Sequence, residues 1–237
     1  MRQSGLRRRP LFAGTRSGAA MIDLYTYETP NGQKASIMLE EVGLSYAVRT
    51  VNLMKGEQRD PDFLRISPNN KVPAIVDHDG VDGRTSVFES GAILVYLAEK
   101  TGKLLPTAGR ARSDTLQWLF WSMAGVGAGV GRFASVALFS KDRNPVLVKS
   151  LAEEVVRLFT VLERRLSEVE YLAGDYSIAD IGAFTWIAYI RQPITKYATL
   201  PPVAATDRWL AAIGARPAVQ KGLRVPKSAV RPPSARA

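Results

Sequence analysis

Cysteine is absent from this 237-residue chain, and histidine occurs once, as His78. The first absence excludes disulfide staples, thiolate metal sites, a cysteine nucleophile and a Cys-x-x-Cys redox pair. A single imidazole excludes a multi-histidine metal centre. Any thiol chemistry must therefore arrive with a ligand. Absence of cysteine also fits a reducing compartment, and a cytoplasmic location is expected. No uninterrupted apolar run approaches the ~20 residues that span a bilayer. The longest apolar segments carry Glu, Lys or Asp at helical intervals, the mark of amphipathic packing, so a membrane is not an expected partner.

Acids are missing from both ends. Residues 1–20 hold five Arg, and residues 224–237 hold Arg224, Lys227, Arg231 and Arg236, which together leave +1 of the net +10 to residues 21–223. The basicity belongs to the ends, expected to be solvated, disordered extensions. They lack aromatics to stack on bases, so nucleic acid is not an expected partner; a tail-borne affinity for RNA or anionic membranes is the remaining alternative. The Arg- and Ser-rich start fits an organellar presequence or an extended start. The second is favoured, because Met21 opens directly into a strand pattern.

What is present is ordinary for a globular chain: 46% hydrophobic and 23% charged residues, enough for one large or two small domains, each with its own core. Residues 21–27 alternate, with Ile22, Leu24 and Thr26 on one face, and read as a strand. Thr29-Pro30 matches a helix start; Ala35, Met38, Leu39 and Val42 recur at helical spacing, and Gly43 falls where a C-cap belongs. Residues 46–53 form a second strand, and a charged loop with a short helix at 63–65 leads to Ser67-Pro68-Asn69-Asn70. Residues 74–77 and 86–88 are strands separated by Asp-Gly turn signals, followed by a helix with Ser90 as its cap and Ile93, Leu94 and Leu97 facing inward. The order β-α-β, then β-β-α, pairs parallel strands across a crossover with an antiparallel hairpin. That is an α/β thioredoxin-like arrangement over residues 21–102. From residue 107 to 223 the chain reads as all-helical, with helices expected at 112–140, 144–169, 178–191 and 205–214. Tyr176-Ser177-Ile178-Ala179-Asp180 is a capping box with a purely structural role.

Three features meet at one edge of the first domain. Val72-Pro73 precedes a strand; an X-Pro bond there can be cis and leave Val72 free to pair with an extended peptide, or it is a plain turn proline. Glu89-Ser90 stands at a helix start, where unpaired N–H groups favour a carboxylate and Glu89 can meet an adjacent ammonium; ordinary capping is the plainer reading. Thr29 and Asn31 begin the first helix, where a hydroxyl and an amide can hold a thiolate without being nucleophiles. Capping by Thr29 is compatible with that role. Together the three sites suit a γ-glutamyl amino end, a cysteinyl backbone and a thiol.

The segments TPNGQKASIMLEE (29–41), FLRISPNNKVPAIVDHDG (63–80), FESGAILVYLAEKTG (88–102), TLQWLFW (115–121) and YSIADI (176–181) stand in the order found in glutathione transferases. Over residues 21–223 the chain resembles that family, and within it the bacterial nu-class branch that includes disulfide-bond reductases. The resemblance implies a thioredoxin-like domain followed by the family's all-α C-terminal domain, glutathione as co-substrate, no metal, and a homodimer. It also implies site residues. Thr29 and Asn31 match the thiol-facing positions; Val72 with Pro73 matches the cysteinyl clamp. Glu89 and Ser90 match the γ-glutamyl contacts, and Gln58 and Lys71 the polar residues near the peptide, with Lys71 able to pair the glycyl carboxylate. Tyr25 and Tyr27 lie nearby but do not match the thiol-facing position. The implied activity is attack by a bound glutathione thiolate on a disulfide or a small electrophile. A non-catalytic glutathione-binding dimerisation or regulatory module is the alternative, because the fold serves that role too.

One stretch departs from the branch. Where it has Gly-Pro-Met and then Gln and His, this chain has GVGAGVGRF (125–133). Each glycine costs a helix roughly 0.8–1 kcal/mol against alanine, so a local break or a close helix approach is expected. Arg132 is read as a surface cation or a contact for an anionic second substrate.

Overall fold

The structure, a computed structural model, describes residues 21–226. The expected basic extensions, 1–20 and 224–237, lie outside the described residues apart from Arg224–Pro226.

Four strands form one sheet: β1 (Ile22–Thr26), β2 (Tyr46–Thr50), β3 (Ala74–Gly80) and β4 (Gly83–Phe88), in the order β2-β1-β3-β4. β1 and β2 run parallel, with Thr26 opposite Thr50. β3 runs antiparallel to both neighbours, so Ala74 stands opposite Tyr25 on one side and Phe88 on the other. The second strand stops at Thr50, short of the expected Leu53, because Asn52 caps a 3-10 turn over Leu53–Lys55.

The crossover helix α1 (Pro30–Val42) begins where Thr29 Oγ1 accepts the Gly32 N–H at 3.0 Å and ends at Gly43, whose φ of 78° suits glycine. After the short α2 (Pro61–Leu64) comes α3 (Ser90–Thr101), with Ile93, Leu94 and Leu97 fully buried. Ser90 is not its cap. Glu89 occupies that position with φ 70° and no side-chain capping bond, so Ser90 is the first helical residue.

The helical part comprises α4 (Gly109–Phe139), α5 (Pro145–Glu168), α6 (Ile178–Ile190), α7 (Ala204–Gly214) and α8 (Pro217–Gly222). Helix α6 starts with the capping box: Ser177 N–H donates to Asp180 Oδ2 at 3.0 Å while the Ser177 hydroxyl oxygen accepts from the backbone. Helix α4 is unbroken. Across Ser122–Val130 and again across Ala134–Phe139 it winds in the wider i→i+5 pattern. The expected close approach is real, since a Cβ on Gly125 or Gly129 would lie 3.1 or 3.3 Å from the Leu158 methyls of α5. Among the described residues α4 is the one helix long and apolar enough to cross a membrane by length and composition; here it packs on α5 and α6 through Val126, Val130 and Phe133.

Helix α1 joins the two parts. Its buried face meets β1 and α3 on one side and α6 and α8 on the other, so a single apolar core runs from Leu24 and Met38 through Phe159 to Trp209.

Candidate functional site

Strand directions gather the expected residues. The chain leaves β1 after Thr26 toward Thr29 and Asn31, leaves β2 after Thr50 toward Gln58, enters β3 from Val72-Pro73, and leaves β4 after Phe88 into Glu89-Ser90. The registers Thr26–Thr50, Tyr25–Ala74 and Ala74–Phe88 put all four segments at the same end of the sheet. Ligands commonly bind beyond strand ends in sheets of this kind, where loops diverge around a free space.

At the α1 start, Gly32 is required: a Cβ there would collide with the Tyr27 carbonyl and the Thr26 hydroxyl. This lets the β1–α1 loop close tightly and sets Thr29 and Asn31 side by side. The Thr29 hydroxyl accepts from Gly32 N–H, and a hydroxyl that accepts still has its proton to donate. The Asn31 carboxamide is held from behind. Its Oδ1 accepts from Lys34 Nζ at 2.9 Å and from the Trp186 indole N–H at 2.9 Å. The indole N–H can only donate, as does the lysine in its charged form, so the oxygen faces them and the NH2 group faces away.

Val72 and Pro73 are buried and joined by a cis peptide bond, and ladder pairing starts two residues later, at Ala74. Lys71 is exposed; its carbonyl accepts from the Ser67 hydroxyl at 2.8 Å. Glu89 is exposed, and its carboxylate accepts from Asn69 Nδ2 at 2.8 Å. A left-handed φ at a non-glycine residue is costly, of order 1–3 kcal/mol, and concentrates at working sites. Ser90 is buried, with its hydroxyl 3.7 Å from the Met123 sulfur. The plain capping reading of Ser90 therefore fails. Gln58 lies in a turn over Glu57–Arg59, and its Oε1 is buried without a protein donor, an arrangement that favours an incoming N–H.

Tyr25 is 6% exposed, and its phenol is pushed up by burial and by the Asp23 carboxylate, the wrong direction for a group that stabilises a thiolate by its acidity. Arg132 is exposed. Sequence reasoning missed Lys34 and Trp186. Trp186 lies 155 residues from Asn31, and neither periodicity nor spacing signals such a meeting.

Two family patterns match the chain: the glutathione S-transferase N-terminal domain over residues 20–99 and the C-terminal domain over 128–217. The chain belongs to the glutathione S-transferase family. Within the family it is similar to the disulfide-bond oxidoreductase YfcG of Escherichia coli, 46% identical over 86% of this chain and 94% of that one. It is also similar to YghU of the same organism, named a disulfide-bond oxidoreductase, 34% identical over 86% and 75%. Among solved structures, a Burkholderia graminis glutathione transferase with two glutathione molecules bound per subunit superposes with a TM-score of 0.82 at 41% identity, covering 88% of this chain and 89% of that one. A Pseudomonas putida glutathione transferase with one glutathione disulfide bound per subunit superposes at 0.84, with 38% identity and coverage of 90% and 94%. This transferase thus keeps the family's two-part architecture through a glycine-rich α4.

Proposed function

We propose that this glutathione transferase is a glutathione-dependent thiol-disulfide oxidoreductase that also has the equipment for conjugation. One observation carries the reading: in a chain without cysteine, Thr29 and Asn31, Val72, and Glu89 with Ser90 converge on one end of the sheet, where among the described residues nothing takes up the Thr29 hydroxyl proton or the Asn31 NH2 group. Glutathione supplies the thiol. Val72 would pair its backbone with the cysteinyl unit, Ser90 and the first turn of α3 would receive the γ-glutamyl carboxylate, and Glu89 its ammonium. Gln58 Oε1 would accept a peptide N–H, and Lys71 would face the glycyl carboxylate. Thr29 and Asn31 would donate to the sulfur and favour its ionised form.

In the reductase reaction the bound thiolate attacks one sulfur of a disulfide, forming a mixed disulfide and expelling the other sulfur as a thiolate. A second glutathione thiolate then attacks the glutathione sulfur of that mixed disulfide, giving glutathione disulfide and releasing the second thiolate of the substrate. Two glutathione molecules per subunit in the Burkholderia relative and one glutathione disulfide in the Pseudomonas relative support this stoichiometry. The same thiolate attacking an electrophilic carbon gives conjugation.

Residues 21–102 would hold glutathione and residues 107–223 would supply the wall for the second substrate. The working form would be a cytoplasmic homodimer, a state read by light scattering after size exclusion. Hydroxyethyl-disulfide reduction measured beside aryl-halide conjugation tests the function: disulfide turnover dominating supports it, conjugation alone reassigns the reaction, and no turnover of either refutes it.

A further inference from the structure

Lys34 has no obvious business where it stands. It is fully buried, with its ammonium among α1, α4 and α6. An interior ammonium is costly unless it is paired and hydrogen-bonded, and a leucine or methionine would fill the same space without that cost. Its hydrogen-bond partner is the Asn31 amide oxygen, 2.9 Å away, which it shares with the Trp186 indole. Among the described residues none takes up the Asn31 NH2 group.

The glycines of α4 make room for this pair. A Cβ on Gly127 would lie 3.7 Å from Lys34 Nζ and 4.0 Å from Trp186 Nε1, and a Cβ on Gly131 would lie 3.4 Å from the Trp186 ring. A side chain longer than alanine at 127 would push into both donors. The departure from the family pattern in this stretch thus borders the group behind Asn31.

We propose that Lys34 is a positioning residue for the glutathione sulfur: with Trp186 it locks the Asn31 carboxamide so that its NH2 group faces the thiol, and it places a buried positive charge behind that amide. The inference rests on the reading that Asn31 donates to the sulfur. Two donors on one oxygen forbid the flipped amide, which would set NH2 against an ammonium and an indole N–H. The same charge favours a thiolate over a thiol through a medium that screens little. Burial draws the Lys34 ammonium down to about 7, and the Glu89 carboxylate opposes that pull. The other groups turned toward it are uncharged: the Asn31 amide from α1, Gly127 from α4 and the Trp186 indole from α6. An anionic sulfur arriving in front of Asn31 would hold Lys34 charged, and by reciprocity Lys34 would hold the sulfur ionised.

The test is titration of the glutathione thiol on the full-length protein, by its ultraviolet thiolate absorbance and by the pH profile of kcat/KM. Lys34→Met should raise the apparent thiol pKa by about one unit or more, with the glutathione KM changed by less than about threefold, because the peptide contacts are untouched. Lys34→Gln, which can still donate to Asn31 but carries no charge, should fall between Met and wild type. If Lys34→Met titrates like wild type while Asn31→Ala shifts the thiol, the role of Lys34 is overturned and the Asn31 reading stands. If wild type itself does not lower the thiol pKa below that of free glutathione, the parent reading fails. If the methionine variant does not fold, Trp186→Phe decides: removal of one of the two anchors must raise the same pKa, and an unchanged value overturns the proposal.

Discussion

The Glu41 carboxylate and the Arg216 guanidinium meet in a two-pronged bridge, Nε to Oε1 at 2.7 Å and Nη2 to Oε2 at 2.9 Å. Glu41 lies in the last turn of the helix that carries Asn31, and Arg216 immediately precedes α8, so the bridge ties the sheet-bearing part to the last helix. The guanidinium also lies 3.8 Å over the Tyr176 ring, whose hydroxyl donates to Glu41 Oε1. The Glu41 side chain is only 7% exposed, Arg216 35%. Arg216→Met keeps the stem but leaves a nearly buried carboxylate without its cation. Discounted for the exposure of the arginine, the loss should be about 2 kcal/mol, a fall in Tm of about 4–8 °C for a chain of this size. Disulfide turnover measured well below Tm should stay at the wild-type level. Calorimetry with an activity assay checks both.

Asn31 should matter to chemistry more than to binding. Removing one preorganised donor to a developing anion commonly costs about 10²–10³ in rate, so Asn31→Ala should lower kcat/KM for disulfide reduction by about a hundredfold. Glutathione affinity by calorimetric titration should change little, since the proposed peptide contacts lie elsewhere, at Gln58, in Lys71-Val72 ahead of β3 and in Glu89-Ser90 at the start of α3. Thr29→Ser keeps the hydroxyl and should keep both the cap and the turnover. Thr29→Ala should lose about 1 kcal/mol of stability with the cap and turnover with it. Tyr25→Phe keeps the ring against Phe63 and should leave the rate unchanged; a large loss there would return the tyrosine to the mechanism.

Much of the frame was legible in the sequence because its signals are local. Alternation at Ile22, Leu24 and Thr26, the Thr29-Pro30 start, Gly43 and the Ser177–Asp180 box all act within a few residues, and each forms as expected. Signals that depend on distant partners were not legible. Ser90 looks like a cap because Ser usually is one, yet the tight exit from β4 hands that position to Glu89. The glycines of α4 pointed to a local break or a close helix approach; the approach is what forms, with Gly125 and Gly129 against Leu158, while the helix stays continuous in a wider winding. Lys34 carries no local signal, because Gly127 and Trp186, which stand beside it and its Asn31 partner, are distant in the chain.

The glycine positions of α4 should therefore respond differently to substitution. At Gly129 an added Cβ meets the ends of flexible side chains, Leu158 Cδ1 at 3.3 Å and Glu154 Cγ at 3.7 Å. The helix-propensity gain of Gly129→Ala, roughly 0.8–1 kcal/mol, should offset that small displacement and leave stability and rate near wild type. Gly127→Leu drives a branched side chain past the 3.7 Å gap to Lys34 Nζ. Overpacking of this kind typically costs about 1–3 kcal/mol. Its diagnostic effect should be on turnover, which should fall more steeply than in a stability-matched variant elsewhere. Paired melting curves and kcat measurements separate the two.

Lys34 also makes a prediction about the free protein. In the folded chain burial holds its ammonium near a pKa of about 7, against the ordinary lysine value of 10.5. Between those values the unfolded chain binds a proton that the folded chain does not, so the contribution of this residue to unfolding free energy rises with pH, at most about 1.4 kcal/mol per unit. Below about pH 7 both states are protonated, and the full cost of burying the charge is felt. Wild type minus Lys34→Met stability should therefore climb from neutral pH toward pH 10 in urea titrations, the reverse of a lysine held by a surface ion pair. Saturating glutathione should flatten that climb, because an anionic sulfur raises the Lys34 pKa toward its unfolded value. A difference curve independent of pH in the free protein would mean that Lys34 titrates as though it were solvated.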